Sequence, residues 1–286
     1  IKECDWSSDV CSSDLILASD SWEKRMKHLL KSEIRKLIYL RSNWLLLLWS
    51  GLFAALGTVA PIVVLNSEDR GMGMGFSGTN TPEGINAVFA NAAGGYLFAL
   101  IMGILIMTNE FRHGTAVGTF LVTPKRSTVL YAKLIAASIA GLVVQIFSYL
   151  TAVISGFVAL NFFEPHAPVP MELLWKVFRA SALSGLVLGI VGVGLGALVK
   201  NQVAAVTGAV IWTLIVEGLI VAFVESIGKY LPAGAITGLV DVDFGENDFN
   251  FTIDNYLTPG PAILVLLAYA AVFSILAMRT TLRRDL

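Results

Sequence analysis

The residues that could carry chemistry gather in one polar interruption of a largely apolar chain. This interruption, residues 109–133, reads NEFRHGTAVGTFLVTPKRSTVLYAK and lies between two of the most apolar runs of the sequence. Its charged and titratable side chains are Glu110, Arg112, His113, Lys125, Arg126 and Lys133. The sequence contains no nucleophile–base arrangement and no P-loop pattern, G-x-x-x-x-G-K-[ST]. We therefore predict no catalytic residue and no nucleotide site in this chain.

Glycine, threonine and proline in the interruption predict two sharp turns around a short helix. Gly114 can take the left-handed conformation that ends a helix, and Thr115 can cap the next one. Residues 116–122 would form that helix, which is too short to be stable alone, and Pro124 suits the first turn of the following helix. One side of the short helix is apolar: Val117, Phe120 and Leu121. Because lipid cannot cover these side chains outside a membrane, the pattern indicates a protein partner.

The composition determines which class of protein must position this segment. Hydrophobic residues make up 56% of the 286 residues and charged residues only 14%, against about 25% charged in an average soluble domain. Apolar runs long enough to cross a bilayer recur, so we predict an all-α, multi-pass membrane protein. Both cysteines, Cys4 and Cys11, precede these runs and the three histidines are far apart. We therefore expect no disulfide framework, no metal site and no nucleic-acid partner.

The periodicity predicts one amphipathic helix, over residues 22–41, followed by six spans. The helix has a basic and an apolar face, which is typical of a helix lying in the membrane interface; a solvated helix is the alternative. The spans are expected at residues 43–65, 86–108, 127–160, 177–199, 203–224 and 261–278. After span five, residues 230–240 are apolar and could re-enter the membrane from outside, before an acidic loop that we expect to be solvated.

The N-terminal segment, residues 1–21, differs from the rest of the chain. It repeats Ser-Ser-Asp and has no apolar period. It is similar to translated sequencing-adapter sequence, and a disordered native tail is the alternative. We therefore expect the folded membrane domain to comprise residues 22–286.

The distribution of lysine and arginine predicts the orientation. With the N-terminus inside, most of these residues lie in the inner segments, whereas the outer ones contain Arg70, Lys176, Arg179 and Lys229. This is the positive-inside pattern. It predicts that both termini and the polar interruption face the cytoplasm, as in a protein of a bacterial plasma membrane.

The motif order resembles that of one family, the ABC-2-type transporter permeases. E-x-R-x-G-T at Glu110, Arg112, Gly114 and Thr115 looks like the start of their cytoplasmic loop. Further matching positions are Ser32, Glu33, Lys36, Leu37, Leu121, Thr123, Pro124, Arg126, Lys133, Tyr230, Leu231, Pro232, Arg283, Arg284 and Asp285. The resemblance covers residues 27–286, and its departure is Gly118, which lowers helix propensity within the short helix.

The resemblance implies a function that composition and spacing do not. It implies the permease subunit of an ATP-driven transporter, an exporter, paired with a second identical or related permease. Two separate ATPase subunits would bind ATP and Mg²⁺, and the chain itself would need no cofactor. The short helix would be a coupling helix that docks on the ATPase. The implied contact residues are Glu110, Arg112, Gly114, Thr115, Val117, Phe120, Leu121, Pro124, Arg126 and Lys133.

Several alternatives stay open at this point. Glu110 and Arg112 could pair with each other on an exposed turn, and the other basic residues could only determine topology. Glu217 is the one carboxylate well inside a span, where an unpaired charge costs about 2–3 kcal/mol; it could form a packing hydrogen bond or line a translocation path. The glycines of span four could pack within the chain or between subunits. A secondary transporter or channel working without ATP is the alternative function, followed by a membrane anchor or sensor.

Overall fold

The chain is described by a computed structural model, which covers residues 22–66, 79, 81–112, 126–163, 169–199, 201–242 and 256–283. The tail and the proposed coupling helix lie outside these residues, as does the acidic loop. Six of the predicted contact residues are outside them too: Gly114, Thr115, Val117, Phe120, Leu121 and Pro124. Every element within the described ranges is a helix.

Eleven α-helices follow one another along the described parts of the chain. The first five are α1 (Trp22–Tyr39), α2 (Arg41–Asn66), α3 (Pro82–Ala90), α4 (Tyr96–Arg112) and α5 (Arg126–Phe163). The remaining six are α6 (Met171–Val199), α7 (Gln202–Ile211), α8 (Glu217–Phe223), α9 (Glu225–Gly228), α10 (Pro232–Val240) and α11 (Pro259–Arg283). A 3₁₀ turn (Asn91–Gly95) joins α3 to α4, and a π turn (Trp212–Val216) joins α7 to α8.

Six helical stretches are long and apolar enough to cross a membrane, which confirms the predicted number of spans. They are Arg41–Val64, Pro82–Arg112, Ser127–Phe163, Met171–Val199, Gln202–Val221 and Pro259–Arg279. Each overlaps one predicted span, and α1 precedes the first of them. Within its described residues the chain is all-helical, and its six apolar helices are compatible with a multi-pass membrane protein.

Helices α4 and α6 form the centre of the bundle. In the most apolar part of spans two and four, 67% and 61% of the residues are buried, against 28%, 22% and 22% in spans one, five and six. Glycines allow the central backbones to touch: a Cβ on Gly103 of α4 would collide with the Gly189 carbonyl oxygen of α6. A Cβ on Gly185 would lie 2.7 Å from the Gly141 carbonyl oxygen of α5. The glycine face of span four therefore packs within the chain.

The amphipathic helix α1 packs against α5 at one end of the bundle. Its basic side chains Lys27, Lys31 and Arg35 are exposed. The junction to α2 is closed by side chains of the next helix, because Asn43 Nδ2 donates to the Leu37 carbonyl at 3.0 Å and Trp44 Nε1 to the Ile38 carbonyl at 2.8 Å. These bonds satisfy carbonyls that a helix end leaves free. They fix α1 relative to span one.

Span two is not the continuous helix that its hydropathy predicts. It tightens into the 3₁₀ turn at Asn91–Gly95, where the sequence places two alanines and two glycines. Gln145, fully buried in α5, donates from Nε2 to the Ala93 carbonyl in that turn at 2.7 Å. An irregular turn inside a membrane span is tolerated where a neighbouring helix supplies such a bond. The turn is therefore held by span three.

The apolar piece after span five, residues 230–240, folds into α10, and the short α9 precedes it. Helix α10 begins at Pro232 in its first turn and ends at Asp241, whose φ of 53° is left-handed. It is buried against α6 and α11 through Ala235, Ile236 and Leu239. Lys176 of α6 donates to the Asp241 carbonyl at 3.1 Å. This end of α10 is thus tied to span four.

Candidate functional sites

Four charged side chains from three helices meet in one cluster, and two of them belong to the polar interruption. We call Glu33 and Lys36 of α1, Glu110 of α4 and Lys133 of α5 the ion cluster. Lys133 Nζ lies 2.7 Å from Glu110 Oε1 and 3.0 Å from Glu33 Oε2. Lys36 Nζ lies 2.9 Å from Glu110 Oε1 and 2.7 Å from Glu33 Oε1. Each lysine bridges both carboxylates, so the cluster is neutral as a whole.

Most of the ion cluster is removed from solvent. Lys133 is 2% exposed, and Glu33 and Glu110 are each 6% exposed. Burying a charge is costly unless it is paired and hydrogen-bonded. The two-by-two arrangement provides those partners. Removing any one member would leave oppositely charged side chains buried with only one of their two partners.

Lys36 is the half-exposed member that faces the outside of the cluster. Its partial burial lowers its pKa, but the hydrogen bonds and charges of Glu33 and Glu110 outweigh burial and raise the pKa above the usual 10.5. Because the pKa of Lys36 is raised on folding, its ion pairs with Glu33 and Glu110 contribute their full stability below the unfolded-state pKa. It is lost only as the pH rises through the higher folded-state pKa. Lys36 is therefore charged at neutral pH and keeps its part in the cluster.

The ion cluster joins α1 to both helices that flank residues 113–125. Glu110 is close to the end of α4, which stops at Arg112, and Lys133 is two turns into α5. Arg112 does not pair with Glu110; its Nη1 donates to Gln202 Oε1 at the start of α7, at 3.2 Å. The ends of spans two, three and five and the amphipathic helix are thus linked around the polar interruption.

The predicted contact residues that the structure describes occupy different environments. Arg112 is exposed, whereas Glu110 and Lys133 are buried in the ion cluster. Arg126 is the first residue of α5. Sequence reasoning placed Lys133 among cytoplasm-facing cations and did not pair Glu33 or Lys36 with the interruption. The available signal was the Glu33–Lys36 spacing on α1, which identifies a local pair but not its distant partners.

A second site surrounds Glu217. A cavity of about 360 Å³ lies between α4, α6, α7 and α11, and Glu217 is the only charged residue among the described residues that line it. The walls are mostly aliphatic and aromatic, including Leu100, Val191 and Phe273. A size of this order with few polar groups is typical of small-molecule sites.

Glu217 is fixed by an irregularity in span five. Its backbone N–H donates to the Trp212 carbonyl across the π turn, a feature that often occurs at functional sites. Its side chain is 1% exposed, and its Oε1 accepts a hydrogen bond from the Ala233 N–H. That N–H belongs to the first turn of α10, where the helix dipole favours a negative charge. Oε2 has no hydrogen-bond partner among the described residues.

Glu217 therefore forms the packing hydrogen bond that the sequence left open, and it also lines a cavity. A role in translocation stays a prediction.

Within the described ranges, no group of three or more histidine, cysteine, aspartate or glutamate side chains is placed to hold a metal ion. No model of a known protein family matches the chain, and no curated protein sequence matches it.

Proposed function

We propose that this chain is the membrane-spanning permease subunit of an ATP-driven ABC transporter, with the direction of an exporter. Residues 116–122 form a coupling helix that docks on a separate ATPase subunit, to which ATP and Mg²⁺ bind. A second permease, identical or related, completes the pathway. The six apolar spans and the basic amphipathic helix α1 support this proposal, as does the Gly114–Thr115 pair, whose sequence predicts a turn.

The ion cluster is the observation that carries the proposal furthest. A partner that moves residues 113–125 would pull on the ends of α4 and α5, which flank them. Glu110 and Lys133 connect those ends to α1, and Arg112 connects them to α7 through Gln202. Packed helices and ion pairs of this kind transmit displacement between sites. The cluster thus provides a physical route from a docked ATPase to several spans.

The remaining parts of the proposal concern the membrane. The chain resides in a bacterial plasma membrane with both termini in the cytoplasm. Helix α10 lies on the outer side and re-enters the bilayer, supported by its buried face against α6 and α11. The amphipathic helix α1 lies in the inner interface, with its exposed cations towards anionic lipid headgroups.

The coupling helix is tested by two substitutions in the interruption. Gly114→Val opposes a left-handed turn, since a β-branched residue at positive φ is a strong outlier. Phe120→Asp places a charge in an apolar contact, where it is costly. We expect each variant to insert normally and to retain about a tenth or less of the wild-type amount of copurified ATPase. The measurement is copurification of a P-loop ATPase encoded beside the gene, and ATP hydrolysis in reconstituted vesicles.

Phe162→Asp is the matched control for Phe120→Asp. Phe162 is 81% exposed near the end of α5 that is remote from the interruption, so the new charge enters no apolar contact with the ATPase. Copurification should be unchanged in this variant. If both interruption variants retain wild-type copurification and hydrolysis, residues 113–125 do not dock an ATPase and the proposed function is wrong.

The orientation is tested by cysteine labelling. After Cys4 and Cys11 are replaced, single cysteines at Thr115 and Lys200 should react with an impermeant maleimide only in permeabilised cells. A cysteine at Met171, which is 73% exposed at the start of α6, should react in intact cells. Labelling of the Thr115 cysteine from outside intact cells would show that the inferred orientation is inverted.

A secondary transporter is the second candidate function, and one observation favours it. Two spans are irregular, and a buried carboxylate follows one of the irregular turns. Carrier proteins that work without ATP often place their sites at discontinuous helices. Transport by reconstituted vesicles that contain this chain alone, without ATP, would favour this candidate over the ABC permease.

A further inference from the structure

The cavity beside Glu217 is elongated along span five. Its lining includes Ala204, Gly208 and Trp212 on successive turns before Glu217 is reached. At about 1.5 Å per residue, this stretch covers about 20 Å of helix. Spans two, four and six complete the walls with mostly apolar side chains. The space is therefore long, apolar and polar mainly at one end.

The polar end contains a hydrogen-bond acceptor that receives no hydrogen bond from the described residues. Glu217 Oε1 is held by the Ala233 N–H, whereas Oε2 is buried and has no partner among the described residues. Among the described residues that line the cavity, none is a lysine, arginine or histidine. A buried carboxylate oxygen without a partner is costly in an apolar environment. A bound molecule that supplies a cationic donor at this point would remove that cost.

We propose that the cavity binds a single-chain cationic amphiphile. Its ammonium group donates to Glu217 Oε2, and its alkyl chain lies along α7 between α4, α6 and α11. Charge complementarity favours a cation over an anion, because Glu217 is the only charged residue in the described lining of the cavity. The apolar walls favour a hydrocarbon chain over a polar body. Binding requires this chain alone, so the inference goes beyond the ABC function and does not depend on an ATPase.

The test is photolabelling of the full chain in phosphatidylcholine nanodiscs. The probe is dodecylamine with a diazirine near the end of its chain, and labelled peptides are identified by mass spectrometry. We expect labelling in α4, α6, α7 or α11 that unlabelled dodecylamine displaces. Dodecanol and dodecyl sulfate should need about tenfold higher concentrations or more, because they lack the ammonium donor that pairs with a carboxylate.

Three variants locate the site. Glu217→Gln retains an acceptor for the Ala233 N–H but replaces Oε2 with a donor, so displacement should require about tenfold more dodecylamine. Gly208→Leu places a side chain in the cavity, and a Cβ at Gly208 meets nothing within 4 Å. This variant should fold and lose the displaceable labelling. Gly218→Leu is the matched control, since its Cβ also meets nothing within 4 Å and it does not line the cavity.

Each result decides the inference. Displaceable labelling that persists in Gly208→Leu would show that the cavity is not the site. Equal displacement by dodecanol or dodecyl sulfate would show that Glu217 does not select a cation. If Glu217→Gln fails to fold, the headgroup comparison on wild-type protein and the Gly208→Leu variant still decide. ATPase copurification is not measured in this assay, so its failure leaves the proposed ABC function untouched.

Discussion

Replacing Lys133 with methionine is expected to lower the free energy of unfolding by about 3–5 kcal/mol. Methionine keeps the approximate length of the side chain and removes the ammonium group, with its charge and its hydrogen-bond donors. Glu33 and Glu110 would then share Lys36 alone, and Lys36 is half-exposed whereas both carboxylates are 6% exposed. Two buried carboxylates with one cation repel each other and are poorly solvated. Chemical denaturation of the purified chain in detergent micelles measures the loss.

Lys176→Met is the matched control for this substitution. Lys176 pairs with Glu172 at 3.3 Å and donates to the Asp241 carbonyl at 3.1 Å, but the Glu172 side chain is 78% exposed and that of Asp241 is 56% exposed. An exposed pair contributes about 0–1 kcal/mol, so the control should lose little. Adding Glu110→Gln to Lys133→Met removes one of the two carboxylates and should restore part of the stability. If Lys133→Met costs no more than Lys176→Met, the ion cluster does not stabilise the fold.

The same variants should also show whether the ion cluster has a role in function. If it carries motion from an ATPase to α1, the Lys133→Met, Glu110→Gln double variant should still fold and assemble. ATP hydrolysis by the partner ATPase should respond less to transport when it is assembled with this variant than with the wild-type chain. If the cluster only stabilises the fold, the double variant should regain both its stability and the response of ATP hydrolysis to transport. The comparison of these two readouts separates positioning from stabilisation.

Replacing Gly192 with leucine is expected to disrupt the packing of α4 against α6. A Cβ on Gly192 would lie 2.8 Å from both Gly103 Cα and the Ile104 backbone nitrogen, and closer still to the Leu100 carbonyl oxygen. These are backbone atoms of the central helix, which cannot rotate away as a flexible side chain could. Overpacking of this kind costs about 3 kcal/mol or more for a large side chain. We expect a strongly lowered thermal midpoint in detergent.

Gly57→Leu is the control for Gly192→Leu, because a Cβ at Gly57 of α2 meets nothing within 4 Å. Its thermal midpoint should match or slightly exceed that of wild-type protein, since leucine is the better helix former. If Gly192→Leu is as stable as Gly57→Leu, α4 and α6 are not in backbone contact at this position. A change in oligomeric state without loss of stability would instead place the glycine face between subunits.

The sequence alone was sufficient for the number and approximate position of the spans. Hydropathy is a sum over neighbouring residues, so a local pattern determines which segments must leave water. The amphipathic α1 follows from the same kind of local period. The proposed coupling helix at residues 116–122 stays a prediction, because the structure does not describe those residues. The orientation also stays a prediction, since it depends on the charge of loops in relation to a membrane.

Only the tertiary structure decided which charged and irregular elements meet. Glu110 bonds to Lys36 across 74 residues of sequence, and Lys133 to Glu33 across 100. Spacing along a chain identifies neighbours on one helix but not partners on different helices, which depend on how several helices pack. The break in span two has the same origin, because Gln145 of span three satisfies a carbonyl of the 3₁₀ turn that hydropathy does not register. Glu217 was identified from sequence as costly to bury; that it caps α10 and borders a cavity followed only from the packing of α10 beside span five.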